Sequence, residues 1–223
     1  MVGSARVIGH GRVGSAIAAR FAERGLALSD EGAELVLICV PDAAIAGVAA
    51  AFEPGPWVAH VSGGTPLTAL EPHARRFTLH PLQTFTRSRG PEQLDGAWAA
   101  VSAETEEARS LGFELADLLG LRPFELADEE RPLYHAGAVV ASNYLVTLQR
   151  AASELFLAAG APPEALRPLM VRTIENEFEL TGPVARGDWG TVERHVHAIR
   201  ERRPQLEGMY RVLADATVTL TAV

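Results

Sequence analysis

Residues 5–21 read Ala5-Arg6-Val7-Ile8, then Gly9-His10-Gly11-Arg12-Val13-Gly14, then Ser15-Ala16-Ile17-Ala18-Ala19-Arg20-Phe21. A short β-branched run enters a glycine-rich turn and leaves into an alanine-rich helical pattern. The order strand, G-x-G-x-x-G, helix is the context a dinucleotide fingerprint requires. Its first glycine allows the tight turn, its second lets the backbone approach a pyrophosphate, and its third lets helix and strand pack closely. The helix start adds free N–H groups and the positive end of its dipole. The same pattern also serves as a bare strand–helix turn without a ligand.

The chain has 223 residues, 48% hydrophobic and 22% charged, enough to bury a sizeable core in one large or two small domains. Its formal net charge is -8, which argues against a nucleic-acid surface. All 20 basic residues are arginine; there is no lysine. A single cysteine, Cys39, excludes an internal disulfide and a cysteine-based metal site, and no histidine spacing suggests a metal either. No basic-then-apolar leader precedes the first strand, and no apolar run has membrane-spanning length. A cytoplasmic protein with no membrane or nucleic-acid partner is expected.

The fingerprint helix is expected from Arg12 to Arg24, stopped by Gly25. The next strand, Glu34-Leu35-Val36-Leu37-Ile38-Cys39-Val40, is a continuous apolar run suited to a buried parallel position. Only Leu26–Gly32 lie between. That is too short for a full second strand and its return, so the first strand is expected at or near a sheet edge. Asp30, Glu31 and Glu34 fall near the spacing of the acid that binds a ribose, but the short segment leaves their place open.

Further strands are expected at Trp57–Val61, Arg76–Leu79, Ala97–Val101 and Leu121–Leu126, with helices at Ala43–Phe52 and Glu104–Leu119. Ala127–Pro132 reads as a polar hinge. Beyond it the period is helical: Leu133–Ala159, apolar on most sides and so expected to be buried centrally or in a dimer; Glu164–Leu180; Trp189–Arg203 capped by Asp188; and a last helix to about Leu220. The fold class is therefore α/β: a shortened parallel sheet in residues 1–126, then an all-α domain in 127–223.

Several phrases resemble one family: HVSGG at 60–64, HPLQTF at 80–85, YHAGAVVASNYL at 134–145 and LTGPVARGD at 180–188. The chain resembles Rossmann-like oxidoreductases with a helical C-terminal domain of the 6-phosphogluconate-dehydrogenase type. These are similar to ketopantoate reductases, pyrroline-5-carboxylate reductases and deazaflavin-dependent NADP oxidoreductases. The resemblance implies an NAD(P)-linked enzyme, often a homodimer through the helical domain, and no particular substrate. A looser similarity is to prephenate and arogenate dehydrogenases, echoed by Ser62, by His80-Pro81, and by His135 with Ser142-Asn143. Asn143 stands where those enzymes have a second histidine.

In open α/β sheets the site lies at the carboxyl ends of the strands. That assigns Gly9, His10, Gly11, Arg12, Val13 and Gly14, with Val40-Pro41-Asp42, to a cofactor, NADP slightly preferred over NAD. It assigns His60–Gly64 and His80–Thr84 to the reacting end. Hydride transfer needs a group that exchanges a proton. A lysine is impossible here, so the candidates are His80, with Ser62 as its hydrogen-bond partner, then His135 and Asn143. Each also has a structural reading: a strand-end histidine, a helix–helix hydrogen bond. Arg12 is a candidate for a cofactor phosphate, and Arg87 with Arg89 for an anionic substrate. Cys39 reads as a small apolar core residue. Two functions are open at this point: a reductase of a small keto, imino or hydroxy acid, or a catalytically silent nucleotide-binding or scaffold dimer.

Overall fold

The computed structural model describes residues 2–221. Its first compact unit spans 1–140 and its second 141–223. The expected hinge at 127–132 thus falls inside the first unit, because the helix that follows it packs on the sheet.

The first unit is built on seven strands: β1 (Ser4–Ile8), β2 (Ala27–Leu28), β3 (Leu35–Ile38), β4 (Trp57–His60), β5 (Arg76–Leu82), β6 (Trp98–Ala103) and β7 (Arg122–Glu125). Their order is β2-β1-β3-β4-β5-β6-β7, parallel throughout except that β6 runs antiparallel to β5. Residues alternate between faces. Ala5, Leu35, Leu37, Ala59, Phe77 and Leu79 face α1 (Arg12–Glu23) and α3 (Glu106–Leu119), forming the larger core. Val36, Ile38 and Val58 face α2 (Asp42–Ala49) and the 3₁₀ turn Leu67–Leu70.

The glycine turn packs as the fingerprint demands. Gly9 has φ +102°, and a Cβ there would lie 2.5 Å from the Cys39 carbonyl oxygen. A Cβ on Gly14 would lie 1.8 Å from the Gly9 oxygen. Gly120 ends α3 in the left-handed region at φ +82°, as a C-cap glycine does.

The segment after α1 holds slightly more than the sequence suggested. β2 exists, but it pairs only with Ser4 and Ala5. The C-terminal half of β1, leading to Gly9, has no strand beside it on that side among the described residues. Glu34 is drawn to the opposite end of the sheet, where its carboxylate accepts the Gly3 N–H at 3.0 Å. The strand expected to stop at Leu79 also runs on to Leu82. His80 is therefore an interior residue of β5, opposite Ala100 of β6.

The chain then enters α4 (Arg131–Val139) and a π-helical turn, Val140–Tyr144. The second unit contains α5 (Leu145–Ala159), α6 (Leu166–Glu175), α7 (Trp189–Arg202) and α8 (Glu207–Thr221). The long helix expected over 133–159 is present as one continuous run from Arg131 to Ala159, with the π-helical turn inserted within it. It is not buried centrally within the chain: Ala151 is the buried residue of α5, while Leu145, Val146, Leu148 and Leu157 are exposed, which leaves burial in a dimer as the open alternative. α6 stops five residues early, because Glu177 and Phe178 take left-handed backbone angles. Asp188 caps α7 as expected, accepting the Thr191 N–H at 3.1 Å.

Candidate functional site

Two features gather at the carboxyl ends of the strands in the first unit. The first is the glycine turn. α1 begins at Gly11 with no side-chain cap and no acidic residue in its first turn, so its N–H groups remain available. A Cβ on Gly11 would meet no atom within 4 Å. Its backbone is extended, at φ -71° and ψ -165°, a conformation open to any residue. Nothing in the protein's own packing requires glycine at 11; an approaching ligand would. Beside it lies a cavity of about 330 Å³ lined by His10, Gly11, Arg12, Ser15, Arg87 and Arg89, among others. Arg89 lies 3.6 Å from Glu92, whereas Arg12 and Arg87 have no ion pair among the described residues. A cationic cavity at an uncapped helix start suits a pyrophosphate or phosphate, so the residues present fit a dinucleotide's phosphates. Val40 packs against Gly9, and Pro41 and exposed Asp42 open α2.

The second feature is a cluster of rings. His80 Nδ1 lies 2.7 Å from the Tyr134 hydroxyl, and its ring meets His135 edge-on with centroids 6.0 Å apart. Gly63 sits between the two histidines: a Cβ there would lie 2.6 Å from His135 Cδ2 and 3.0 Å from His80 Nε2. Burial and the nearby Arg131 charge push the His80 imidazole down to about 4. It is therefore neutral at ordinary pH. His60, fully buried, falls to about 4 for the same two reasons. Its Nδ1 accepts the Ser62 N–H at 3.2 Å, so its proton sits on Nε2, 3.4 Å from the Pro66 oxygen. Burial raises the Tyr134 phenol to about 12.

The expected pairing of Ser62 with His80 is corrected. The Ser62 hydroxyl donates to Thr65 Oγ1 at 2.9 Å and accepts the N–H groups of Gly64 and Thr65. It is fully engaged in closing the 62–65 loop, and the partner of His80 is Tyr134. Asn143 lies exposed in the second unit, where its Oδ1 accepts from Ser142. Burial raises the Cys39 thiol to about 12, in keeping with a core residue.

Sequence reasoning missed Arg131. It is 0% exposed and anchors α4 to the strand ends. Its Nε donates to the Thr65 oxygen at 2.8 Å, and its Nη1 to Thr78 Oγ1 at 2.7 Å and Ser102 Oγ at 3.1 Å; Nη2 donates to the Ser62 oxygen. Asp128 lies 3.8 Å away and also accepts the Leu67 N–H. Arg131 therefore fixes the loop that carries Gly63 and the helix that carries Tyr134 and His135. No group of three or more metal-ligating side chains occurs among the described residues, and no helix among them is long and apolar enough to cross a membrane.

A mainly parallel sheet with the glycine turn at the end of its β1 strand, followed by a helical region, defines a Rossmann-like protein. The chain belongs to the family described as Domain of unknown function (DUF2520), whose profile matches residues 97–217. Among solved structures it is similar to a Bacteroides fragilis protein provisionally described as an NADP oxidoreductase (TM-score 0.82, 19% identity, 98% of each chain covered). A Thermotoga maritima protein matches at TM-score 0.77 and 22% identity, also over 98% of each chain. The 1-pyrroline-5-carboxylate reductase of Streptococcus pyogenes matches at TM-score 0.61 and 13% identity, covering 98% of this chain and 97% of its own. At these identities the likeness establishes the fold. No curated protein matches the chain in sequence.

Proposed function

We propose that the protein is an NAD(P)-linked oxidoreductase acting on a small keto, imino or hydroxy acid. The observation that carries this reading is the open side of Gly11 at the uncapped start of α1, beside the arginine-lined cavity. Gly11, Arg12 and the α1 N–H groups would hold the phosphates, and the bound nicotinamide would supply or accept the hydride. The protein's own part is to place a substrate near His80 and to balance the hydride with a proton. The three arginines, and the absence of a strand beside the end of β1, support NADP over NAD. The name carried by the Bacteroides fragilis neighbour agrees with that choice.

Isothermal titration with NADPH and NADH tests the reading. One site per chain is expected, with a dissociation constant on the order of micromolar and tighter for NADPH. No binding of either at millimolar concentration overturns it. The short β2 favours a second reading, in which the fold binds a nucleotide without turnover; NADPH binding with no reduction of any small 2-oxo acid would support that one instead.

The same proposal includes a homodimer. In the second unit Val146, Leu157, Leu169, Val171, Ile174 and Val212 are exposed, apolar side chains that a second copy of the chain would cover. Light scattering is expected to give about twice the chain mass of 23.8 kDa. A monomer at micromolar concentration would contradict this.

A further inference from the structure

We propose that His80 and Tyr134 form a proton relay in which the neutral imidazole passes the proton on Nε2 to the substrate oxygen while taking the Tyr134 hydroxyl proton on Nδ1. This rests on the reductase reading above. The geometry carries it. The 2.7 Å bond joins Nδ1 to the phenol, with the rings at 84° and centroids 5.6 Å apart. Phe124 also packs edge-on against Tyr134, centroids 5.9 Å apart, which helps hold its ring in place. Glycine at 63 keeps the Nε2 edge clear of a side chain that would lie 3.0 Å away. Among the described residues Tyr134 is the proton source bonded to His80, and Nε2 is bonded to none.

A histidine acting alone as an acid must first become imidazolium. The groups facing His80 oppose that. Arg131 and His135 from α4 and His60 from β4 all disfavour a positive ring, and only Asp42 from α2 favours one. With the imidazole down to about 4 and the phenol up to about 12, both partners are neutral over the working range. The relay needs no imidazolium. As the carbonyl carbon receives the hydride, its π electrons move to oxygen. The O–H bond forms as Nε2–H breaks, and Nδ1–H forms as the tyrosine O–H breaks. The imidazole changes tautomer, and the tyrosinate left behind is stabilised by Arg131 before water reprotonates it. An alkoxide is a stronger base than a phenolate, so the transfer runs downhill.

The test is ¹⁵N NMR of histidine-labelled full-length protein without ligand. The expected result is His80 neutral down to about pH 5 with its proton on Nε2, and loss of that tautomer preference in Tyr134→Phe at unchanged NADPH affinity. A proton on Nδ1 in the unsubstituted protein, with tyrosine as acceptor, overturns the relay whether or not NADPH binds. Failure of NADPH binding, by contrast, counts against the reductase reading and leaves the tautomer result standing. With NADPH and glyoxylate or pyruvate as probes, Tyr134→Phe is expected to lower kcat on the order of a hundredfold with KM within about threefold. The unsubstituted protein is expected to show no inflection near pH 6.5. An inflection there, or unchanged kcat in the variant, refutes the relay. Should Tyr134→Phe not fold, 3-fluorotyrosine lowers the phenol pKa at constant shape; the alkaline limb of the rate profile then moves to lower pH, and a stationary limb refutes the relay.

Discussion

Replacing Arg131 with methionine is expected to destabilise the protein by roughly 3 kcal/mol or more, and to lower its melting temperature by about 6–12 °C. Methionine fills much of the space and removes the cost of a buried charge. It leaves the Ser62 and Thr65 carbonyls and the Ser102 hydroxyl without the donor that satisfied them, while the Thr78 hydroxyl keeps the Ser102 N–H at 3.2 Å. Unpaired groups in a dry interior cost more than a paired charge gains. The same variant alters the response to acid. His60 and His80 have folded-state values of about 4 against an ordinary 6.5, so the unfolded chain binds more protons between those values. Their contribution to stability is complete above pH 6.5 and is lost as pH falls toward 4. Without the Arg131 charge both histidines are easier to protonate, so the slope of stability against pH over that window is expected to flatten. Thermal melts of both proteins from pH 4 to 7 check size and slope together; parallel curves would show that burial alone sets the two values.

Gly14→Ala is expected to disrupt the strand–turn–helix entry outright. The new Cβ would sit 1.8 Å from the Gly9 carbonyl oxygen and 3.0 Å from Cys39 Cβ. The first of these is a backbone atom at the end of β1 and cannot swing aside. The cost should exceed the roughly 1–3 kcal/mol of an ordinary overpacked core. Circular dichroism and a melting curve are expected to show a large loss of stability, and a variant as stable as the parent would mean that the turn can open.

Much of this was legible in the residues. The change of period from Ala5–Ile8 to Ser15–Phe21 announced the β1–α1 unit, and the continuous apolar run Leu35–Ile38 announced a buried parallel strand. The stripe Ala108, Leu111, Leu115 marked the buried side of α3, and Asp188 capped its helix as its position suggested. The short return after α1 correctly limited what could stand beside β1, although a two-residue strand leaves no period by which to see β2.

The chemistry of the site was harder to read. Arg131 sits in a polar run before a proline, which from sequence resembles solvent-exposed linker. Only the tertiary fold shows that its guanidinium turns inward beneath three strands. His80 was singled out for its type, but its partner lies 54 residues on, in a helix whose pattern gives no sign of facing β5. Ser62 had the right chemistry, and the local 62–65 turn took its hydroxyl first, as short polar side chains next to a turn often do. The π-helical turn at 140–144 was hidden because a local change of pitch leaves no mark in an apolar run, and the exposed apolar face of α5 because apolar content alone does not say what covers a helix.

On the function proposed above, Gly11 is glycine for a ligand, whereas Gly9 and Gly14 are glycine for the fold. Calorimetric titration of NADPH into Gly11→Val beside the unsubstituted protein tests it most directly. The new Cβ would meet no protein atom within 4 Å, so the variant is expected to fold with a change of about 1 kcal/mol or less. It is expected to bind NADPH on the order of a hundredfold more weakly than its parent. A folded Gly11→Val that binds NADPH as tightly as the parent would place the dinucleotide elsewhere and contradict the account.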